Sequence, residues 1–266
     1  MREIALRVRR RDVEGVLDRL LPLVPGGVRE IERGRHVELR MRGADLPVVA
    51  ELARATGRRQ SQFAQREVSD DWRERRRADY EPDVIGGRLV VAPEWAPRSG
   101  SELEIILKEG SAFGGGTHPT THKCLELLLD IPPLGSFADL GCGTGVLAIL
   151  AARLGWDPVV AVDISPESVE TTGANAAANG VNLQAELLDL LVQAPPETDA
   201  LAANVTPAIH HSIAGALLDP LPRLGLMSGF HASEATGVGA AYAARGFRVT
   251  HEFGVDGWSV LMVERT

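Results

Sequence analysis

The stretch Phe137-Ala138-Asp139-Leu140-Gly141-Cys142-Gly143-Thr144-Gly145-Val146 constrains this chain more than any other. A short apolar run carries an acid near its end, and three alternating glycines then lead into a segment with helical apolar spacing. Twenty-two residues after Gly141 a second acid, Asp163, closes the apolar run Val159-Val160-Ala161-Val162. Strand, glycine turn, helix, strand and acid, in that order, describe a nucleoside-binding crossover unit of a parallel α/β sheet. Glycine lets the backbone approach a ligand that a side chain would hold off. Asp163 is expected to accept hydrogen bonds from both hydroxyls of a ribose.

The spacing narrows the nucleoside. A dinucleotide turn reads G-x-G-x-x-G and rests a pyrophosphate on the following helix N-terminus. Here the turn reads G-x-G-x-G, and Asp139 stands two positions before the first glycine. A carboxylate there repels a pyrophosphate and suits a cation. S-adenosylmethionine carries a sulfonium and an α-amino group, so it is the expected cofactor, held by Asp139, Gly141, Gly143 and Asp163.

A second glycine-rich segment, Ala112-Phe113-Gly114-Gly115-Gly116-Thr117-His118-Pro119-Thr120-Thr121, precedes the run Cys124, Leu125, Leu127, Leu128. Pro119 forbids one continuous helix across it, and the threonines fall at a helix start, where a hydroxyl can cap. The expectation is a loop folded over the ligand, with Phe113 flanking it and Thr121 offering a hydroxyl. His118 is the best titratable candidate nearby, with loop structure as its expected role.

Downstream, strands and helices alternate: Pro166–Asn179 as helix, Leu183–Leu188 and Asp199–Val205 as strands, Ile209–Leu218 as helix, then Leu224–Gly229 as strand. A helix over 233–244 and the strands Phe247–Phe253 and Ser259–Glu264 complete the pattern. It predicts a mostly parallel sheet closed by a hairpin whose final strand is antiparallel. Ligands of such sheets bind at the carboxyl ends of the strands, where the strand order reverses. Asn204, ending the fourth strand, joins the candidate site on that ground.

Composition separates the chain into two parts. Residues 1–77 hold 19 Arg, no Lys and 13 acids, a balance of +6, whereas residues 78–266 carry −14. Such a split suggests modules with different partners. Within the first part, Ile4–Val8, Val28–Glu32, His36–Met41 and Gln60–Val68 read as strands, Asp12–Leu21 as a helix. Asp45 is expected to cap a second helix reaching Ala55. β-α-β-β-α-β within 70 residues is the ferredoxin-like pattern. The expected domains are residues 1–67, a linker helix at 68–81 in which Trp72 anchors, and residues 82–266, which open with strands at Arg88–Ala92 and Glu104–Leu107. Cys124 and Cys142 form no metal-ligand pattern and suit a reducing compartment. No apolar run of 18 residues exists and the N-terminus lacks a signal-peptide hydrophobic region, so a cytoplasmic protein is expected, without metal.

With these residues in view, the chain resembles the ribosomal protein L11 methyltransferases of the PrmA type. Residues Ala112–Thr121 are similar to that family's A-F-G-T-G-T-H-P-T-T, with Gly115 replacing a threonine, and Asp139–Gly145, Asp163, Asn204 and Met227-Ser228-Gly229 match further positions. The resemblance implies a class I (Rossmann-like) methyltransferase domain with a seven-stranded sheet behind a ferredoxin-like substrate-recognition domain. It implies S-adenosylmethionine contacts from Thr121, Gly141, Asp163 and Asn204, and ribosomal protein L11 as the partner whose lysine or N-terminal amines are methylated; nothing in the sequence demands more than a monomer. Arg76, Lys108-Glu109-Gly110 and Val205-Thr206-Pro207 depart from the family pattern. The alternatives are a nucleic-acid base methyltransferase and a non-catalytic ribosome-binding module. Base methyltransferases often carry N/D-P-P-Y/F after the fourth strand, and Asn204-Val205-Thr206-Pro207 lacks the double proline and the aromatic.

Overall fold

The computed structural model describes residues 2–24, 27–43, 46–67, 80, 82–108 and 118–266. Phe113, the rest of 109–117 and the expected linker helix with Trp72 and Arg76 lie outside the described residues. The chain divides into two compact units, Met1–Tyr80 and Glu81–Thr266.

The first unit contains β1 (Arg2–Arg9), α1 (Val13–Leu20), β2 (Arg29–Arg33), β3 (His36–Gly43), α2 (Val49–Thr56) and β4 (Phe63–Glu67). Its sheet has the order β2-β3-β1-β4 with every pair antiparallel, a ferredoxin-like topology. Alternation in β1 and β3 sends Ile4, Leu6, Val8, Val37, Leu39 and Met41 to one face, where Val16 and Leu20 of α1 and Leu52 of α2 bury them. Burying each such side chain is worth about 1.5–3 kcal/mol.

Two local expectations fail here. The second helix begins at Val49 behind Val48, not behind Asp45, which lies outside the described residues. Pro47 disfavours helical geometry at Leu46, and Leu46 instead joins the core at 4% exposure. Residues Gln60–Gln62 form a 3-10 turn rather than strand, because the Gln62 carboxamide accepts from Arg59 N at 3.0 Å.

In the second unit, β5 (Val84–Ile85), β6 (Leu89–Pro93) and β7 (Leu103–Leu107) form a separate three-stranded sheet. β5 was not legible, being only two residues long. There follow α3 (Pro119–Leu128), β8 (Phe137–Leu140), α4 (Val146–Leu154), β9 (Val159–Asp163), α5 (Pro166–Ala178), β10 (Gln184–Leu187) and β11 (Ala200–Asn204). Then come α6 (Pro207–Ala216), β12 (Leu224–His231), α7 (Ala235–Ala243), β13 (Phe247–Val255) and β14 (Trp258–Arg265). The large sheet runs β10-β9-β8-β11-β12-β14-β13, and only β14 is reversed. Helices α3, α4 and α5 pack on one face, α6 and α7 on the other. Val146–Ala151 of α4 is buried throughout, as expected of a helix apolar on every side. Strand order reverses between β8 and β11, and the crevice at their carboxyl ends follows from that topology. Among the described residues no helix is long and apolar enough to cross a membrane.

Glu3 of β1 is 3% exposed on the sheet face away from the helices, bonded by Arg42 and by Arg66 (Nε–Oε1, 2.6 Å). Burial alone would raise its carboxyl pKa, but the hydrogen bonds and charges of the two arginines outweigh it and hold the group below the usual glutamate range. Its stabilising contribution is therefore complete above the ordinary glutamate pKa and fades as pH falls through the lower folded value. Glu3→Gln is expected to lower stability by about 1–3 kcal/mol near neutrality. Urea unfolding at successive pH values should show the gap to wild type closing under acid conditions.

Candidate functional site

β8 delivers the chain into the glycine turn at the crevice. Gly141 N and Cys142 N both donate to Val162 O of β9, at 2.8 and 3.0 Å, and Gly145 N donates to Cys142 O at 2.8 Å. Gly141 has φ +80°, and a Cβ on it would stand 2.4 Å from Val205 Cγ1. Gly145, φ +77°, would clash with Thr172 Cγ2 at 2.6 Å. Both positions require glycine for the turn to keep its close approach to β11 and α5.

Asp163 ends β9 half-buried. Its Oδ2 accepts from Gly143 N at 3.0 Å and its Oδ1 from Ser165 N at 2.9 Å. Each oxygen retains a lone pair, so the carboxylate can still accept from two hydroxyls. Asp139 lies elsewhere than on the turn surface: it is 2% exposed and its Oδ2 accepts from Ala148 N of α4 at 3.1 Å. Burial, together with the charge of Asp163 and against the Ala148 hydrogen bond, raises its pKa to about 7.

Across the crevice, Asn204 Nδ2 donates to Thr121 Oγ1 at 3.1 Å, joining β11 to α3. Thr121 does not cap the helix. His118 is the N-cap, Pro119 fills the first helical position, and Thr121 is buried in the first turn, at 2% exposure. Thus Thr121, Gly141, Gly143, Asp163 and Asn204 converge on the carboxyl ends of β8, β9 and β11.

Three supports were not legible in the sequence. His210 of α6 is fully buried; its Nε2 meets Ser228 O at 2.8 Å, so Nε2 carries the proton and Nδ1 accepts from Tyr242 Oη at 3.1 Å. Burial drops its pKa to about 4, keeping it neutral. Ser228 O also accepts from Val205 N at 3.0 Å, which anchors the residue after Asn204. Asn175 of α5 and Asn179 at its C-cap clip β7: Asn179 pairs with both Ile106 N and Ile106 O, while Asn175 accepts from Lys108 N and donates to Thr144 O. Finally, Trp258 stacks on His231 at 4.2 Å and meets His118 edge-on at 5.2 Å. Nothing in local periodicity marks these residues, since their partners come from distant strands.

The residues fit the expected cofactor. The charge beside the glycine turn is carboxylate, from Asp163 and Asp139, suited to a sulfonium and an ammonium group. Among the described residues no group of three His, Cys, Asp or Glu could hold a metal ion.

The sequence profile for ribosomal protein L11 methyltransferase (PrmA) matches residues 41–266. The chain belongs to that family.

A ribosomal protein L11 methyltransferase of Synechococcus sp. (strain RCC307) is 36% identical over 208 residues, covering 74% of this chain and 69% of the relative. That of Parasynechococcus marenigrum (strain WH8102) is 35% identical over 213 residues, with 74% and 73% covered. The crystal structure of a ribosomal protein L11 methylase from Lactobacillus delbrueckii subsp. bulgaricus superimposes with TM-score 0.61 at 27% identity, over 70% of this chain and all of that one. Family membership makes the large domain a class I methyltransferase with S-adenosylmethionine as its cofactor.

The elevated pKa of Asp139 has a measurable consequence. Unfolded aspartate titrates near 3.9, so stability is fully present below that value and is lost as pH rises through about 7. Asp139→Asn keeps an acceptor for Ala148 N without the charge. Thermal unfolding should show the variant gaining on wild type between pH 4 and 7 and holding a constant lead above; a pH-independent difference would contradict the buried, proton-holding carboxyl.

Proposed function

We propose that the chain transfers methyl groups from S-adenosylmethionine to lysine or N-terminal amines of ribosomal protein L11. Asp163 would bind the ribose, the Gly141–Gly145 turn the remainder of the nucleoside, and Asn204 with Thr121 the reacting end. The observation that carries the reading is the Asn204–Thr121 bond: it sets a polar pair on the β11 side of the crevice, opposite the glycine turn and Asp163. Family membership over most of the chain supports the substrate, since the relatives are L11 methyltransferases. A monomer in the cytoplasm belongs to the same reading; the buried, unpaired Cys124 and Cys142 suit a reducing compartment.

S-adenosylmethionine supplies an electrophilic methyl group on a sulfonium. The chain's task is alignment and the exclusion of water, because an in-line displacement gains most from proximity. Asn204 Nδ2 is committed to Thr121, which leaves Asn204 Oδ1 as an acceptor that can orient an N–H of the incoming amine. The amine must be neutral to react. An α-amine titrates near 8 and a lysine near 10.4, so the α-amine loses its proton to water more readily. His118, lowered in pKa by burial, is held against Trp258, and its role in this reading is structural. The residues 1–67 would recognise the protein substrate.

The reading is tested by incubation with methyl-labelled cofactor and total ribosomal proteins, followed by mass mapping. Label on amines of L11 is expected; label confined to RNA would overturn it. Independently, Asp163→Ala should weaken cofactor binding in calorimetric titration by on the order of 1.5–3 kcal/mol for each of two hydroxyl bonds. Wild-type affinity in that variant would remove Asp163 from the site.

A further inference from the structure

The four-stranded sheet of the first unit has one face covered by α1 and α2 and one face without a covering element of that unit among the described residues. Register defines what the second face carries. Residues directly opposite in an antiparallel pair share a face, so the pairs Glu3–Arg42, Ala5–Arg40, Arg7–Glu38 and Arg9–His36 place β1 and β3 side chains together. The pairs Arg29–Arg40, Ile31–Glu38 and Arg33–His36 add β2, and Glu3–Arg66 and Ala5–Ala64 add β4. Seven arginines and two acids therefore occupy this face. Both acids are engaged within it, Glu3 by Arg42 and Arg66 and Glu38 by Arg40. Arg7, Arg9, Arg29 and Arg33 are exposed and, among the described residues, pair with no carboxylate.

We propose that this face binds the phosphate backbone of double-helical RNA, with Arg7, Arg9, Arg29 and Arg33 as the contacts. The argument is charge complementarity joined to shape. Strands about 4.8 Å apart, with same-face residues about 7 Å apart along each, make a grid of guanidinium forks, whose geometry matches phosphate oxygens. Among the described residues the face offers no aromatic ring other than the imidazole of His36, so these lack the stacking platform that single-stranded RNA uses. Backbone contact to a duplex, with little sequence preference, is what remains. The phosphates of an RNA duplex would be attracted to such a grid. The proposal does not rest on the methyl-transfer reading: RNA binding by this face needs neither cofactor nor acceptor.

The test is fluorescence anisotropy with the full chain and a labelled 20-base-pair RNA duplex of generic sequence, across a salt series. Binding is expected at low salt, with log affinity falling linearly in log salt at a slope of about −3 to −4 for four phosphate contacts. The variant carrying Arg7→Gln, Arg9→Gln, Arg29→Gln and Arg33→Gln keeps the Glu3 and Glu38 ion pairs. It should bind at least about tenfold more weakly, with a salt slope shallower by about 3. Circular dichroism checks its fold, and the single variants Arg7→Gln and Arg29→Gln, each expected to weaken binding by a smaller factor, serve if it does not fold. Failure of wild type to bind the duplex at low salt would overturn the proposal, as would unchanged binding in the folded variants. Equal competition by polyglutamate would overturn it in favour of an acidic protein partner, and tighter binding of single-stranded RNA would overturn the backbone-only mode.

Discussion

The carboxylate of Asp163 accepts from Gly143 N and Ser165 N, and so ties the turn after β8 to the turn after β9. Two adjacent strand ends are thereby fixed relative to one another before any ligand is present. The glycine turn owes its shape to the same economy of space. Val162 O takes two amides of the turn, and Gly141 lies so close to Val205 that no side chain could stand there. Binding that leaves a turn of this kind unmoved avoids the ordering cost a loose loop would incur.

The other wall of the crevice depends on groups buried well behind it. Asn204 reaches Thr121, but Val205 is pinned to Ser228 O, and Ser228 O is shared with a neutral His210 held by Tyr242. The bulge between Met227 and Phe230 brings Gly229 against the Val205 backbone, where a Cβ would stand 2.5 Å from Val205 O. On the α3 side, Asn175 and Asn179 fix the end of β7, from which the chain runs towards residues 109–117. Such fully satisfied buried polar groups rigidify a site more than apolar packing of equal volume, because any alternative arrangement strands a donor or acceptor.

Much of this was readable from the chain, and the boundary is physical. The glycine turn, Asp163 and α4 are local: their spacing dictates a strand-turn-helix-strand unit, and α4 follows the turn directly, from Val146 to Leu154. The antiparallel last strand followed from two apolar segments joined by a tight turn. What escaped was non-local. His210 reads as one of two adjacent histidines until Tyr242, 32 residues on, and Ser228 close around it. The aromatic contact of Trp258 with His118 joins residues 140 apart. Asp139 was legible as an acid near the turn but not as one buried beneath it, because burial depends on how α4 docks. Equally, the strands β1 and β3 were legible one by one, but not that seven arginines meet on one face; register alone decides that.

Charge divides the two parts of the chain. Residues 1–77 carry a balance of +6 and residues 78–266 one of −14, so the two present fields of opposite sign. The central claim concerns the crevice, and a crystal structure of the chain with S-adenosylhomocysteine tests it most directly. Both ribose hydroxyls should lie within hydrogen-bond distance of Asp163, with the ligand over the Gly141–Gly145 turn and facing Asn204. A nucleoside bound away from Asp163, or with its ribose turned from that carboxylate, would contradict the account.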